Sequence, residues 1–491
     1  MPKLLTESAV LGILTSYAST VISYGLAVVY VILLTKYIPL TQYGYFNAMI
    51  ALISAISIFF PTFGIDNAIA REAAMVHSSG GDVMPYYSAM FSLSFTLTLG
   101  YVAAMIASIP IFIKDGIPRW LIYIVYIRAA STLIGSLTGA LGLYLWATGR
   151  VVTQSLGSVL GNLTYRISEI VLIIVIHNVY AIAISSLLNA IVTLSYYLSR
   201  IHALPRLVLG YKFLKARIRS FVNFGFQFWL AASIGSAFGN LITYLIFKLL
   251  GPNYSGIYSI TITVLSLLMS FNSSVSGVFG SLAARGLGVG VELRGLSRDY
   301  AQASLAIASL LSITTTLLTP LLPILHIFNN NYTKAIPYIM LYAGVVPLST
   351  IDGVYMTYYW ISGRGWLAIE RILAGSITSV AVFVLLVSRL GLYAAILGAY
   401  AGAAVTTVLY WIINRPWGFK MGITTALSVL FPASSALLFI MHDPAFKWPL
   451  PQLILLIAFA LIMAAIKPVK KEVIEDAPRF LKLILKAFTL T

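Results

Sequence analysis

Apolar runs of 18 or more residues follow one another along almost the whole 491-residue chain, the first being VLGILTSYASTVISYGLAVVYVILL. A bilayer core roughly 30 Å thick is crossed by helices of this length, because a helix satisfies its own backbone groups. The chain therefore reads as an all-α polytopic membrane protein. Composition agrees: 60% of residues are hydrophobic and 9% charged, against about 25% charged in a soluble domain. About fourteen spans are expected, from Leu11–Leu34 to Leu450–Ile466. The first run is too long for a signal h-region and lacks a small-residue cleavage site, so no removable leader is expected.

The net charge of +17 would suggest nucleic acid in a soluble protein, but basic residues gather in the cytoplasmic loops of membrane proteins. With the N-terminus inside, the outer side keeps only Lys36, Lys114, Arg119, Lys248, Lys334, Arg389 and Lys447. Arg128 and Arg166 fall within spans, and the remaining Lys and Arg count as inner. Both termini are expected to be cytoplasmic in the cell membrane.

The chain repeats itself. "QYGYFNA" (42–48) is echoed by "YSGIYSI" (254–260), "YLWATGR" (144–150) by "YYWISGR" (358–364), and Pro110 by Pro323. The echoes recur at a nearly constant interval of about 212 to 214 residues, which chance turn chemistry does not explain. The unit is six spans, an even number, so the second copy enters the membrane in the direction of the first. The expected organisation is a six-helix lobe over 1–205, a basic linker over 206–220, a second six-helix lobe over 221–414 related by pseudo-twofold symmetry, and two extra helices with an amphipathic tail over 415–491. The linker "RLVLGYKFLKARIRSF" (206–221) and the tail "DAPRFLKLILKAF" (476–488) interleave apolar and basic residues. Each is read as a helix at the inner surface, anchored by anionic lipid.

Six plus six spans, the "QYGYFNA" start of the second span, "FGIDNAIAREAA" at its inner end (63–74) and "WATGR" at the inner end of the fourth resemble the MOP superfamily. Within it the chain is similar to the polysaccharide-exporter (Wzx-type) flippases of lipid-linked oligosaccharides. The resemblance implies two lobes forming a V around a cavity that opens alternately to each side. It also implies a lipid-linked glycan as substrate, with membrane lipids, glycan-assembly enzymes and an H⁺ or Na⁺ gradient as candidate partners.

Ionisable groups inside spans are costly, an Arg at mid-membrane by about 2.5–3.5 kcal/mol on insertion scales, and so mark candidate sites. Arg166 and Glu169 lie one turn apart on one face of the fifth span; they either neutralise each other or form a hydrated cavity wall. Arg128 has no acidic residue within one turn. It either snorkels beside Trp120 and Tyr123 or meets the phosphates of a substrate, whose oxygens a guanidinium matches. Asp352, followed by Gly353, marks a helix break, a protonatable or Na⁺-binding carboxylate, or the partner of a cation. Gln227 and Asn240, with Asn223, Ser233 and Ser236, line a path or bond neighbouring helices. Gly135 and Gly139 form a GxxxG pair expected at a close helix contact.

Other chemistries lack their residues. Cysteine is absent, which removes disulfides and thiolate sites. The histidines (His77, His177, His202, His326, His442) show no metal spacing, and no P-loop is present. Outer loops hold no paired carboxylates of the kind a metal-dependent glycosyltransferase or polymerase needs. No metal, cofactor or catalytic residue is expected, and an enzyme is disfavoured. The alternative is a MATE-type ion-coupled multidrug or metabolite antiporter, whose chemistry calls for buried carboxylates. Asn253 and Asn331 begin N-x-S/T sequons in expected outer loops.

Overall fold

The computed structural model describes residues 25–60, 65–201, 205–266, 268–269, 293–414, 419–440 and 450–466. All regular structure among them is helical. The helices are α1 (Gly25–Tyr37), α2 (Leu40–Ile56), α3 (Ile65–Ser78), α4 (Met84–Ala107), α5 (Ile109–Lys114), α6 (Arg119–Ala147), α7 (Val151–Ile176), α8 (Tyr180–Arg200) and α9 (Leu207–Leu250). They continue with α10 (252–266), α11 (Leu293–Leu318), α12 (Leu321–Ile324), α13 (Ile336–Ala343), α14 (Val345–Ile361), α15 (Gly365–Leu390), α16 (Tyr393–Asn414), α17 (Phe419–Ile440) and α18 (Leu450–Ile466).

Among the described residues, nine helices are long and apolar enough to cross a membrane, or ten when α13 and α14 count as one bent span. Three shorter apolar helices, Gly25–Tyr37, Ile423–Leu438 and Leu450–Ala465, stand at the first, thirteenth and fourteenth expected spans. The eighth begins in α10 and runs beyond the described residues, where the tail over 476–488 also lies.

The chain divides into two compact units, Met1–Tyr244 and Leu245–Thr491. In the first, α8 packs against both α6 and α7, while α6 and α7 touch each other little. Tyr87 stacks on Tyr144 at 4.2 Å, inside a cluster with Leu141, Leu145, Tyr197 and Ile201. A second cluster joins Ile65, Ile69 and Ala73 of α3 to Met90, Ala147, Leu214 and Phe221. The "FGIDNAIAREAA" run thus becomes a separate docking helix. In the second unit, Tyr355, Tyr358, Tyr359 and Tyr410 form an aromatic core with Ile351 and Val354. There α15 packs closely along α16: a Cβ on Gly402 would lie 2.5 Å from the Gly375 carbonyl oxygen, so only hydrogen fits.

The sequence echoes correspond to repeated local structure. The fourth and tenth spans both close with a 6→1 backbone bond, Arg150 N–H to Leu145 and Arg364 N–H to Tyr359, each 2.8 Å. In each the glycine before the arginine is left-handed, Gly149 at φ 73° and Gly363 at φ 72°. This is the Schellman stop, which glycine adopts without a Cβ penalty. Pro110 and Pro323 both lie in short helices that follow a long span, α5 and α12. The other echo falls inside helices: Gly44 and Gly256 are buried, each the fifth residue of its helix, α2 and α10.

Candidate substrate cavity and intramembrane charges

Where α6 and α7 diverge over α8, the first unit holds a cavity of about 610 Å³. One wall is α6, with Arg128, Ser131, Gly135, Thr138, Gly139, Gly142 and Leu143. The facing wall is α7, with Gln154, Ser158 and Asn162, and the floor is α8, with Ser186, Asn189, Ala190, Thr193 and Tyr197. From Arg128 to Leu143 the lining follows α6 for roughly 22 Å at 1.5 Å per residue, much of a bilayer core. The floor is internally braced. Thr193 Oγ1 donates to the Asn189 carbonyl at 2.9 Å, and the Tyr197 hydroxyl donates to the Gln154 carbonyl at 2.8 Å.

Gly135 and Gly139 belong to this wall, and a Cβ on either would meet nothing within 4 Å among the described residues. The GxxxG spacing expected to pack a helix contact opens space here instead. Gly139 and Leu143 also line a neighbouring cavity of about 250 Å³, with Asp66, Ser57, Ser94, Thr98, Tyr101 and Ser136.

Arg128 lines the larger cavity. Its Nε is buried and has no hydrogen-bond partner among the described residues. Tyr101 and Tyr165 lie within its electrostatic reach.

Arg166 and Glu169 pair on α7 at 2.8 Å, with 28% and 1% of their side chains exposed. The Arg166 guanidinium lies over the rings of Tyr30 and Tyr165 at 5.5 and 5.3 Å. The pair is therefore anchored to α1 as well as to its own helix, outside the described lining of the cavity.

The other expected site residues are not brought to the cavity. Asn240 donates from Nδ2 to the Ser236 carbonyl of its own helix at 2.8 Å, and Gln227 is half-buried on α9. Asp352 belongs to the second unit, where α14 runs through Gly353 unbroken. The bend of 45° falls instead between α13 and α14. Asp352 Oδ1 is buried without a hydrogen-bond partner among the described residues.

Near it the structure reveals a residue that the sequence reading did not single out. Arg371 is 2% exposed, held between the rings of Tyr359 and Tyr410 at 4.7 and 5.2 Å. It donates to the Leu367 carbonyl, while its Nε has no partner among the described residues. Tyr410 is within electrostatic reach of both Asp352 and Arg371. Among the described residues no cluster of three or more His, Asp or Glu could hold a metal ion.

Residues 10–279 match the profile of a family described as polysaccharide biosynthesis protein. Among curated proteins nothing matches. Among solved structures, the chain is similar to the lipid II flippase MurJ in an inward closed conformation, with a TM-score of 0.63 and 13% identity over 92% of this chain and 98% of that one. It is also similar to an outward-facing multidrug resistance MATE family transporter of the MOP superfamily, at TM-score 0.55 and 14% identity over 84% and 96% of the two chains. A MATE protein in its straight conformation gives 0.56 and 15% over 85% and 95%. These likenesses establish a common fold.

Proposed function

The chain belongs to the polysaccharide biosynthesis protein family, and from that premise we propose that it flips a lipid-linked oligosaccharide across the cytoplasmic membrane. The carrier class is a polyprenyl- or dolichyl-(pyro)phosphate, moved from the inner to the outer face. The observation that carries this reading is the long cavity of the first unit, lined by Ser, Thr, Asn and Gln with a single arginine and, among the described residues, no carboxylate. A glycan presents many hydroxyls, and such a wall exchanges water hydrogen bonds for protein ones at little net cost. Arg128, whose Nε lacks a partner among the described residues, faces the anionic group, with a fork geometry suited to phosphate oxygens. The lipid tail stays in the bilayer.

The remaining residues take subordinate roles. Arg166, steadied by Glu169 and two tyrosine rings, adds a second cation beside the path. Gln227 and Asn240 offer polar groups along α9. Asp352 is the candidate for coupling to an H⁺ or Na⁺ gradient. The lobes over 1–205 and 221–414 move relative to one another in alternating access, with both termini cytoplasmic. A MATE-type antiporter is the second reading, favoured by Asp66 in the adjoining cavity. Drug-sized cargo, however, calls for few polar groups on apolar walls, whereas Ser, Thr, Asn and Gln side chains recur along the larger cavity.

The test is deletion of the gene followed by leaflet-resolved measurement of lipid-linked oligosaccharide. Accumulation confined to the inner leaflet, reversed by the wild-type chain and not by Arg128→Gln, is the expected result. An unchanged leaflet distribution in a strain with no second flippase would overturn the reading. Full complementation by Arg128→Gln would remove that residue from the path.

A further inference from the structure

The first half of α9 has two faces with different fates. One face docks on α3 and α4 of its own unit. The Arg206 N–H donates to Ser88 Oγ at 3.0 Å, Ser92 Oγ donates to the Leu207 carbonyl at 3.2 Å, and the Thr96 and Tyr211 hydroxyls bond each other. Arg217 pairs with Glu72 at 3.1 Å and donates to the Tyr86 hydroxyl at 2.9 Å. Phe213 packs edge-on against Tyr86 at 4.6 Å, and Leu214 is buried.

The opposite face is left open. At spacings of three and four, Val208, Lys212, Lys215 and Arg219 form one exposed stripe, with Leu207, Ile218 and the ring of Tyr211, whose hydroxyl is held by Thr96, exposed along its edge. Val208 is 70% exposed and Ile218 47%. Lys212, Lys215 and Arg219 have no charged or hydrogen-bonding partner among the described residues. An apolar stripe beside a basic one, on a segment already fixed from behind, is a surface built to face something both apolar and anionic.

Depth separates a membrane from a soluble partner. The groups that hold α9 run from Tyr86 to Thr96, the first turns of a spanning helix, or about 15 Å at 1.5 Å per residue. The open face therefore lies where acyl chains give way to headgroups. We propose that the first half of α9 is a docking surface for anionic phospholipid, with Lys212, Lys215 and Arg219 contacting headgroups and Leu207 and Ile218 seated among acyl chains. Because α9 continues unbroken from Leu207 to Leu250, the lipid bears on the same rigid rod that carries Gln227 and Asn240. The inference goes beyond the flippase reading and does not depend on it.

The test titrates the purified full chain with phosphatidylglycerol and with phosphatidylcholine, counting bound lipids by native mass spectrometry. The comparison is with Lys212→Gln/Lys215→Gln/Arg219→Gln and with a charge-matched control, Lys114→Gln/Lys334→Gln/Arg389→Gln. A basic residue near an anionic surface contributes roughly fivefold in affinity, so three removals weaken phosphatidylglycerol binding on the order of a hundredfold. Phosphatidylcholine binding and the control variant are expected to be unaffected. Equal phosphatidylglycerol affinity in the wild type and the α9 variant, or an equal loss in the control, would overturn the proposal. So would preferential displacement of phosphatidylglycerol by a short polyprenyl phosphate, which would make the face a substrate dock, or displacement by a soluble protein.

Discussion

Glu169 is a carboxylate with 1% of its side chain exposed and a guanidinium 2.8 Å away. Removing one member of a buried ion pair strands the other charge, at a typical cost of 3–5 kcal/mol, whereas replacing both with apolar groups is often neutral. Arg166 is partly exposed, so Arg166→Met alone is expected to cost about 3 kcal/mol, the lower end of that range. Adding Glu169→Leu should recover most of the loss, read as thermal unfolding of the purified protein. Transport by the double variant separates the two roles: recovered stability without flipping keeps Arg166 beside the path, and recovery of both makes the pair structural. The pairing itself was legible, because i and i+3 share a helix face. Arg371 was not, since an arginine six positions into a helix reads as interfacial. Its environment comes from Tyr359 and Tyr410 on two other helices, contacts no local pattern reports. Arg128 had two readings in the sequence, and only the divergence of α6 from α7 placed it on a cavity wall.

Helix ends carry the duplication more faithfully than helix faces do. Gly149 and Gly363 close α6 and α14 with the same bonds and the same left-handed backbone. An L-residue in that conformation is disfavoured by roughly 1–2 kcal/mol. Gly149→Ala and Gly363→Ala are therefore each expected to lower stability by about that amount, and by similar amounts, in thermal unfolding. A large effect at one and none at the other would show that the two stops have lost their equivalence. A further pair of stops was invisible in sequence: α7 ends on His177 at φ 50° and α15 on Gly391 at φ 55°, but the first is left-handed helical at ψ 33° and the second is not, at ψ −131°. The small-residue spacing misled in the opposite way. Gly135 and Gly139 line open space, while Gly398 and Gly402 press α16 onto α15, close enough that a Cβ would meet the Ser379 or Gly375 backbone. GxxxG permits close approach, but which neighbour arrives is decided by tertiary packing. The linker shows the same limit. Its helicity follows from its residues, whereas its docking depends on Glu72 and Tyr86 in α3 and α4.

At the scale of the whole chain, the six-span period makes a prediction about sidedness that an inverted repeat would contradict. An even number of spans returns the chain to its starting side, so equivalent loops of the two copies must face the same compartment. The basic excess predicts the Arg150 and Arg364 loops inside and the Lys114 and Asn330 loops outside. All four residues are exposed. The chain has no native cysteine, so single substitutions report without background. Lys114→Cys and Asn330→Cys should react with a membrane-impermeant maleimide in intact cells. Arg150→Cys and Arg364→Cys should react only after permeabilisation. Labelling of Arg150→Cys and Arg364→Cys from opposite sides would mean an odd unit and an inverted repeat, and the shared Schellman stops would then be convergent turn chemistry. Labelling of all four with sides exchanged would keep the parallel duplication but reverse the orientation, placing the open face of α9 in the outer leaflet. The expected pattern leaves that face in the leaflet whose anionic lipids its lysines and arginine match.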